Sequence, residues 1–151
     1  MRVYFDVSCL NRPFDDQNQL RIRLEAEAIN TILEGVDKGH WSQVSSGMAD
    51  LEVSRISDQE RRRQVHELLQ EPGSFVKLSA EIFSRATFLE QLGFKPADAV
   101  HVAAAEAGQA DVLLSCDNRL CGLGQRHGKV LRTRVMNPLV WLEELKNGPN
   151  P

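Results

Sequence analysis

PADAVHVAAAEAGQADVLLSCD, residues Pro96 to Asp117, holds a complete helix and a complete strand. Pro96 suits the first position of a helix, where its missing N–H costs nothing. Ala97 to about Ala107 is rich in alanine, so neighbouring elements can approach closely, and Gly108 ends it. Asp111 to Ser115 contains Val112-Leu113-Leu114, a short apolar run that suits a central strand buried on both faces. An acid, Asp117, stands just past that strand. The N-terminus has the same arrangement in Val3-Tyr4-Phe5-Asp6.

The rest of the chain extends this alternation. Leu20, Leu24, Ala28, Ile32 and Val36 keep a four-residue step, with Ile29 and Leu33 beside them, which predicts a helix from Leu20 to about Lys38 closed by Gly39. Before it, Asn11 to Asn18 reads as a loop around Pro13 and Asp15-Asp16-Gln17-Asn18. Trp41 to Ser45 is a second strand and Met48 to about Arg55 a short helix. Ser57, with Glu60 three residues on, caps another helix that runs to about Gln70, before Pro72-Gly73. Phe75 to Leu78 is extended, and Ser79 caps a helix ending near Gly93. A helix starts at about Asn118, Val130 to Val135 forms a last strand, and Asn137-Pro138 opens a C-terminal helix. Strands alternating with helices predict an α/β domain, its mainly parallel sheet covered on both faces. Residues 1–146 form that single domain and 147–151 a tail.

Length and composition exclude several classes. The 151 residues fit one domain of ordinary size. Apolar residues at 42% and charged residues at 26% give a globular balance, not a disordered one. No apolar run approaches the ~20 residues that cross a bilayer, and Asp6 interrupts the apolar stretch that a signal peptide would need. Cys9, Cys116 and Cys121 are sparse and odd in number, so reduced thiols and a cytoplasmic location are expected. A net charge of −3 gives no overall pull toward nucleic acid, so any such contact must rest on a local basic patch.

Four acids stand out. Asp6 and Asp117 follow strands at the edge where open parallel sheets build their sites, although an acid there also serves as an ordinary helix cap. Asp98 opens the alanine-rich helix and is the only acid in it before Glu106. Glu52 lies on a helix among Met48, Leu51 and Val53, where a charge would ordinarily face solvent.

Together the segments Val3-Tyr4-Phe5-Asp6, Leu51-Glu52, Asp98-Ala99-Val100-His101-Val102-Ala103 and Leu113-Leu114-Ser115-Cys116-Asp117 resemble the PIN-domain family. The resemblance spans residues 3 to 117, and the last two segments carry most of it. It implies a three-layer α/β/α sandwich, a Mg²⁺ or Mn²⁺ site, and cleavage of single-stranded RNA. Many members are VapC-type toxins paired with an antitoxin, and homodimers are common among them. Carried over by position, Asp6, Glu52, Asp98 and Asp117 become the catalytic and metal-holding residues. Ser8, Ser115 and His101 become their supports. The sequence departs from the pattern at Val7, where many relatives have a hydroxyl, and at Asn118, where the related subgroup often has a further Asp.

The chemistry suits those residue types. Phosphodiester hydrolysis needs an activated water and neutralisation of phosphate charge, and one hard divalent cation on oxygen ligands supplies both. Four acids packed together repel each other and push some of their own pKa values up, which is hard to explain as scaffolding. Arg12 and Arg119 each follow a site acid in sequence and are placed to hold phosphates. Arg61-Arg62-Arg63 read as a solvated helix face. Glu106 lies about 12 Å along the helix from Asp98, too far to share its ion. Cys116, Cys121 and His127 lack the paired spacing of a zinc site. The alternative reading is a PIN-like scaffold that binds RNA or a protein partner without efficient cleavage. A haloacid-dehalogenase-type enzyme would want a second Asp where Ser8 stands.

Overall fold

The computed structural model describes residues 1–69 and 73–148. Five strands, β1 (Arg2–Phe5), β2 (Ser42–Ser46), β3 (Ser74–Val76), β4 (Val112–Leu114) and β5 (Arg134–Met136), form one sheet in the order β3-β2-β1-β4-β5. Every pairing is parallel. The chain builds outward from β1 to β3, then returns to place β4 on the other side of β1. That reversal leaves a crevice beyond the ends of β1 and β4, the position where parallel sheets bind ligands.

Side-chain alternation divides the core into two layers. Val3, Phe5, Val112 and Leu114 face one way, into a core completed by α1 (Val7–Asn11), α2 (Leu20–Asp37), α3 (Gly47–Ser54), α4 (Gln59–Leu68) and α8 (Pro138–Lys146). Tyr4, Val44 and Leu113 face the other way, against α5 (Ala80–Gln91), α6 (Pro96–Ala107) and α7 (Asn118–Arg126). The sandwich is therefore α/β/α. Ala99, Ala103, Ala104 and Ala105 are all buried, and their small side chains let α6 lie close to the sheet and to α5. Gly124 has the same role on α7: a Cβ there would stand 2.5 Å from the Cβ of Val135, so only glycine lets this helix approach β5.

Several boundaries differ from the sequence reading for identifiable reasons. The expected loop from Asn11 is shorter, because α1 forms directly after Asp6 and runs into a tight helical turn over Arg12–Phe14 with Pro13 near its start. The cap of α4 is Asp58, not Ser57: its carboxylate accepts the Arg61 N–H at 2.7 Å. Gln70 and Pro72, at the expected end of that helix, lie outside the described residues, as do residues 149–151 of the tail. β2 begins one residue later than expected, since Trp41 turns away to donate from Nε1 to the Ile32 carbonyl (2.9 Å) and to meet Trp141 edge-on. The last strand is short because the residues before it are drawn onto α6 and its end. The Arg132 N–H donates to Glu106 Oε2 (2.8 Å) and the Thr133 hydroxyl to the Ala110 carbonyl (2.9 Å).

The apolar stripe of α2 is rotated at its start. Ile29 and Ile32 are buried as expected, but Leu20 and Leu24 face solvent and Glu25 is fully buried. Glu25 pairs with Arg12 Nε (3.0 Å) and Arg21 Nε (3.2 Å), and accepts from Asn137 Nδ2 (2.6 Å). The arginine run on α4 is not simply a solvated face either. Arg61 reaches Asn11, Asp15 and the Phe14 carbonyl, Arg62 donates to the Ile56 carbonyl, and only Arg63 lies along the exposed side with Glu60 and Glu67.

Candidate metal centre

The four acids come from separate elements: Asp6 and Asp117 from the ends of β1 and β4, Glu52 from α3 and Asp98 from α6. Asp6 follows β1 and caps α1, its Oδ1 accepting the Cys9 N–H (3.1 Å) and the Ser8 hydroxyl. Ser8 Oγ in turn accepts the Cys116 N–H (3.2 Å), which fastens Asp6 to the segment after β4. Asp117 caps α7 through Oδ1, which accepts the N–H groups of Arg119 (2.8 Å) and Leu120 (3.2 Å). Its own N–H donates to Ser115 Oγ (3.0 Å). The ordinary cap reading of both acids is thus true, and it engages one oxygen of each. Asp98 sits in the first turn of α6. Glu52 on α3 turns inward rather than to solvent, and its Oε1 lies 2.7 Å from His101 Nε2.

Burial and neighbouring charge act on two of these acids. Burial pushes the Asp6 carboxyl above its ordinary value, and the hydroxyls of Ser115 and Ser8 partly offset this. Burial also raises Asp98, followed by the charges of Asp6 and Asp117, and its pKa is pushed up to about 6. No lysine or arginine among the described residues pairs with Asp6, Asp98 or Asp117. The buried acids of the scaffold are treated differently: Glu25 has Arg12 and Arg21, and Glu106 has Arg85 at 2.8 Å. As they stand, no three His, Cys, Asp or Glu side chains among the described residues are close enough to hold an ion. One oxygen of Glu52 meets His101, and one each of Asp6 and Asp117 is engaged in a helix cap. The donors that line the space are oxygens, which fit Mg²⁺ or Mn²⁺ and not a thiol-bound metal.

The raised Asp98 makes a prediction about stability. A carboxyl that holds its proton more tightly when folded destabilises the protein as pH rises from about 4 through about 6. At neutral pH in EDTA, Asp98→Asn should therefore be more stable than the unmodified chain. Allowing for its partial exposure, the gain is on the order of 1–2 kcal/mol, or a few degrees in Tm. The gain should vanish below about pH 4. Thermal unfolding of both proteins across that range checks it, and equal Tm values at neutral pH would refute it.

His101 is buried, and its Nδ1 lies 2.6 Å from the hydroxyl of Tyr4. Tyr4, the single tyrosine, was not singled out in the sequence, although a hydroxyl within an apolar strand was the available signal. Arg12 has its guanidinium on Glu25 and Asp15, so it could meet a phosphate only by releasing a carboxylate. Arg119 is less committed, with one contact to the Gly93 carbonyl (3.0 Å). Cys9 and Cys116 are buried with their sulfurs 3.7 Å apart and free, and Cys121 leans on the Ser115 carbonyl. Beside the acids, a groove of about 540 Å³ starts at Asn118 and passes Cys121, Gln125, Arg132, Arg134 and Met136; no Asp or Glu lines it.

No protein-family model matches the chain, and no curated protein does. Solved structures do. VapBC2 from Rickettsia felis, bound to a DNA fragment from their promoter, superposes with a TM-score of 0.60 at 15% identity, covering 91% of this chain and 98% of that one. FitAcB from Neisseria gonorrhoeae gives 0.57 at 13% identity, covering 90% and 97%. At such identities the likeness establishes the fold alone, the three-layer α/β/α sandwich that the motif resemblance implied. No helix among the described residues is long and apolar enough to cross a membrane.

Proposed function

We propose that this chain is a Mg²⁺- or Mn²⁺-dependent endoribonuclease that cleaves single-stranded RNA. One observation supports the reading: the scaffold acids Glu25 and Glu106 have arginine partners, whereas Asp98 is under the charges of Asp6 and Asp117 and none of these three has a basic partner among the described residues. Such a cluster is costly unless an external cation completes it. Asp6, Asp98 and Asp117 would hold the ion, directly or through water, and Glu52 would complete the site or orient the attacking water. When bound, the ion lowers the pKa of a water and neutralises charge on the phosphate. Ser8 and Ser115 keep the acids in place from the backbone of the β4–α7 connection. Arg119 stands beside Asp117 and can meet a phosphate; Arg12 supports the same wall through Glu25. The acid-free groove from Asn118, with Arg132 in its lining, offers an anionic strand a way out of the site.

A partner fits this reading. Leu20 and Leu24, one turn apart on α2, are exposed, apolar surface suited to a second copy or to an antitoxin of the kind VapC-type proteins bind. The alternative, a scaffold that binds RNA or protein without efficient cleavage, draws on the spread of the acids and on Val7 and Asn118. A nuclease assay on single-stranded RNA separates the two. Cleavage with Mn²⁺ or Mg²⁺ that stops in EDTA and is lost in Asp98→Asn supports the enzyme. RNA left intact at every metal concentration supports the scaffold.

A further inference from the structure

Four buried or half-buried groups form a hydrogen-bonded chain across four elements, Ser46 at the end of β2, Tyr4 on β1, His101 on α6 and Glu52 on α3. Ser46 Oγ lies 2.6 Å from the Tyr4 hydroxyl, that hydroxyl 2.6 Å from His101 Nδ1, and His101 Nε2 2.7 Å from Glu52 Oε1. Tyr4 and Ser46 are wholly inaccessible and His101 nearly so. Buried polar groups of this kind must be satisfied, so each proton in the chain can be accounted for.

Ser46 Oγ accepts the Ala49 N–H as the cap of α3, and among the described residues Tyr4 is the one acceptor within reach of its own proton. Ser46 therefore donates to Tyr4. With its oxygen accepting from Ser46, the Tyr4 hydroxyl donates its proton to His101 Nδ1. Nδ1 is then the acceptor of the ring, and the ring proton sits on Nε2, facing Glu52. A carboxylate is an acceptor alone, so it demands the same arrangement from the other end. The two ends agree.

We infer that Ser46, Tyr4 and His101 are a positioning device that fixes the Nε2–H tautomer of His101 and thereby aims Glu52. The device ties α3 to β1 at its cap and to α6 at Glu52, and so favours the inward position of the carboxylate over the outward one that its place on the helix would otherwise allow. Its bearing on metal binding rests on the proposed metal-dependent reading; the tautomer does not. Supports of this kind are worth about 10- to 100-fold in metal affinity or activity.

The test uses nitrogen NMR of the histidine side chains in the full chain without metal, near neutral pH, with His101→Gln identifying the His101 signals. A single Nε2–H tautomer is the expected result; an Nδ1–H or doubly protonated ring overturns the inference. In the second arm, Mn²⁺ binding is measured on folded Tyr4→Phe and His101→Gln, with RNA cleavage beside it. Tyr4→Phe should weaken Mn²⁺ binding about tenfold, whereas His101→Gln, whose amide can still donate to Glu52, should lose less. Equal Mn²⁺ affinity in Tyr4→Phe and the unmodified chain overturns the device. An Nε2–H tautomer in a chain that neither binds Mn²⁺ nor cuts RNA defeats the ribonuclease reading and leaves the tautomer standing.

Discussion

Asp6→Asn is expected to lower metal-dependent RNA cleavage by at least about 100-fold while leaving the protein as stable as before, or more so. The two halves of this result have the same origin. Asp6 Oδ1 accepts from Ser8 and from the Cys9 N–H, and an asparagine oxygen can accept both. The cap of α1 and the link through Ser8 to Cys116 therefore survive the substitution. What is removed is a buried negative charge, which the surroundings disfavour strongly enough to push the carboxyl above its ordinary value. A scaffold acid behaves in the opposite way, since its loss strands a partner. Measuring kcat/KM in Mn²⁺ alongside thermal unfolding in EDTA distinguishes the cases. Cleavage retained at the unmodified level would remove Asp6 from the site. A large drop in Tm would make it a structural acid.

Where the sequence was legible, short-range physics decided the outcome. The strands ending at Asp6 and Asp117, the helix beginning at Pro96 and the caps at Ser79, Asp117 and Asn137 are set by residues within a few positions of each other. The acids at the strand ends were visible for the same reason. Glu52 needed the family resemblance, because its inward turn depends on His101, nearly fifty positions away. Tyr4 and Ser46 are not marked by their neighbours in sequence, because their role exists only when β1, β2, α3 and α6 meet. The start of α2 is set by distant residues in the same way. Leucines at 20 and 24 looked like the start of an apolar stripe, yet that end of the helix turns Glu25 inward because Arg12, Arg21 and Asn137 converge on it from elsewhere. Periodicity reports which face is apolar and carries no information about a long-range ion pair.

Glu25→Leu should consequently be among the most destabilising single substitutions, although leucine continues the apolar stripe and fills similar space. Glu25 is fully buried, hydrogen-bonded to Arg21 and the Asn137 amide and ion-paired with Arg12. Removing one member of such a network leaves charges without partners, which costs about 3–5 kcal/mol when they are deeply buried. Arg21 is about half exposed and can turn to solvent, while Arg12 is only 20% exposed and still has Asp15, so about 3 kcal/mol is expected, or roughly 6–12 °C in Tm. The loss should reach the metal centre as well. Arg21 also donates to the Cys116 carbonyl (3.0 Å) and to Asn118 Oδ1 (2.7 Å), the residues on either side of Asp117. Once Arg21 leaves its partner Glu25, that wall loosens and cleavage should fall without any change in the acids. Adding Arg12→Leu tests the cause: if the cost lies in the stranded guanidinium, the double variant should recover part of the lost stability. If it is no more stable than Glu25→Leu, lost packing rather than unpaired charge is responsible.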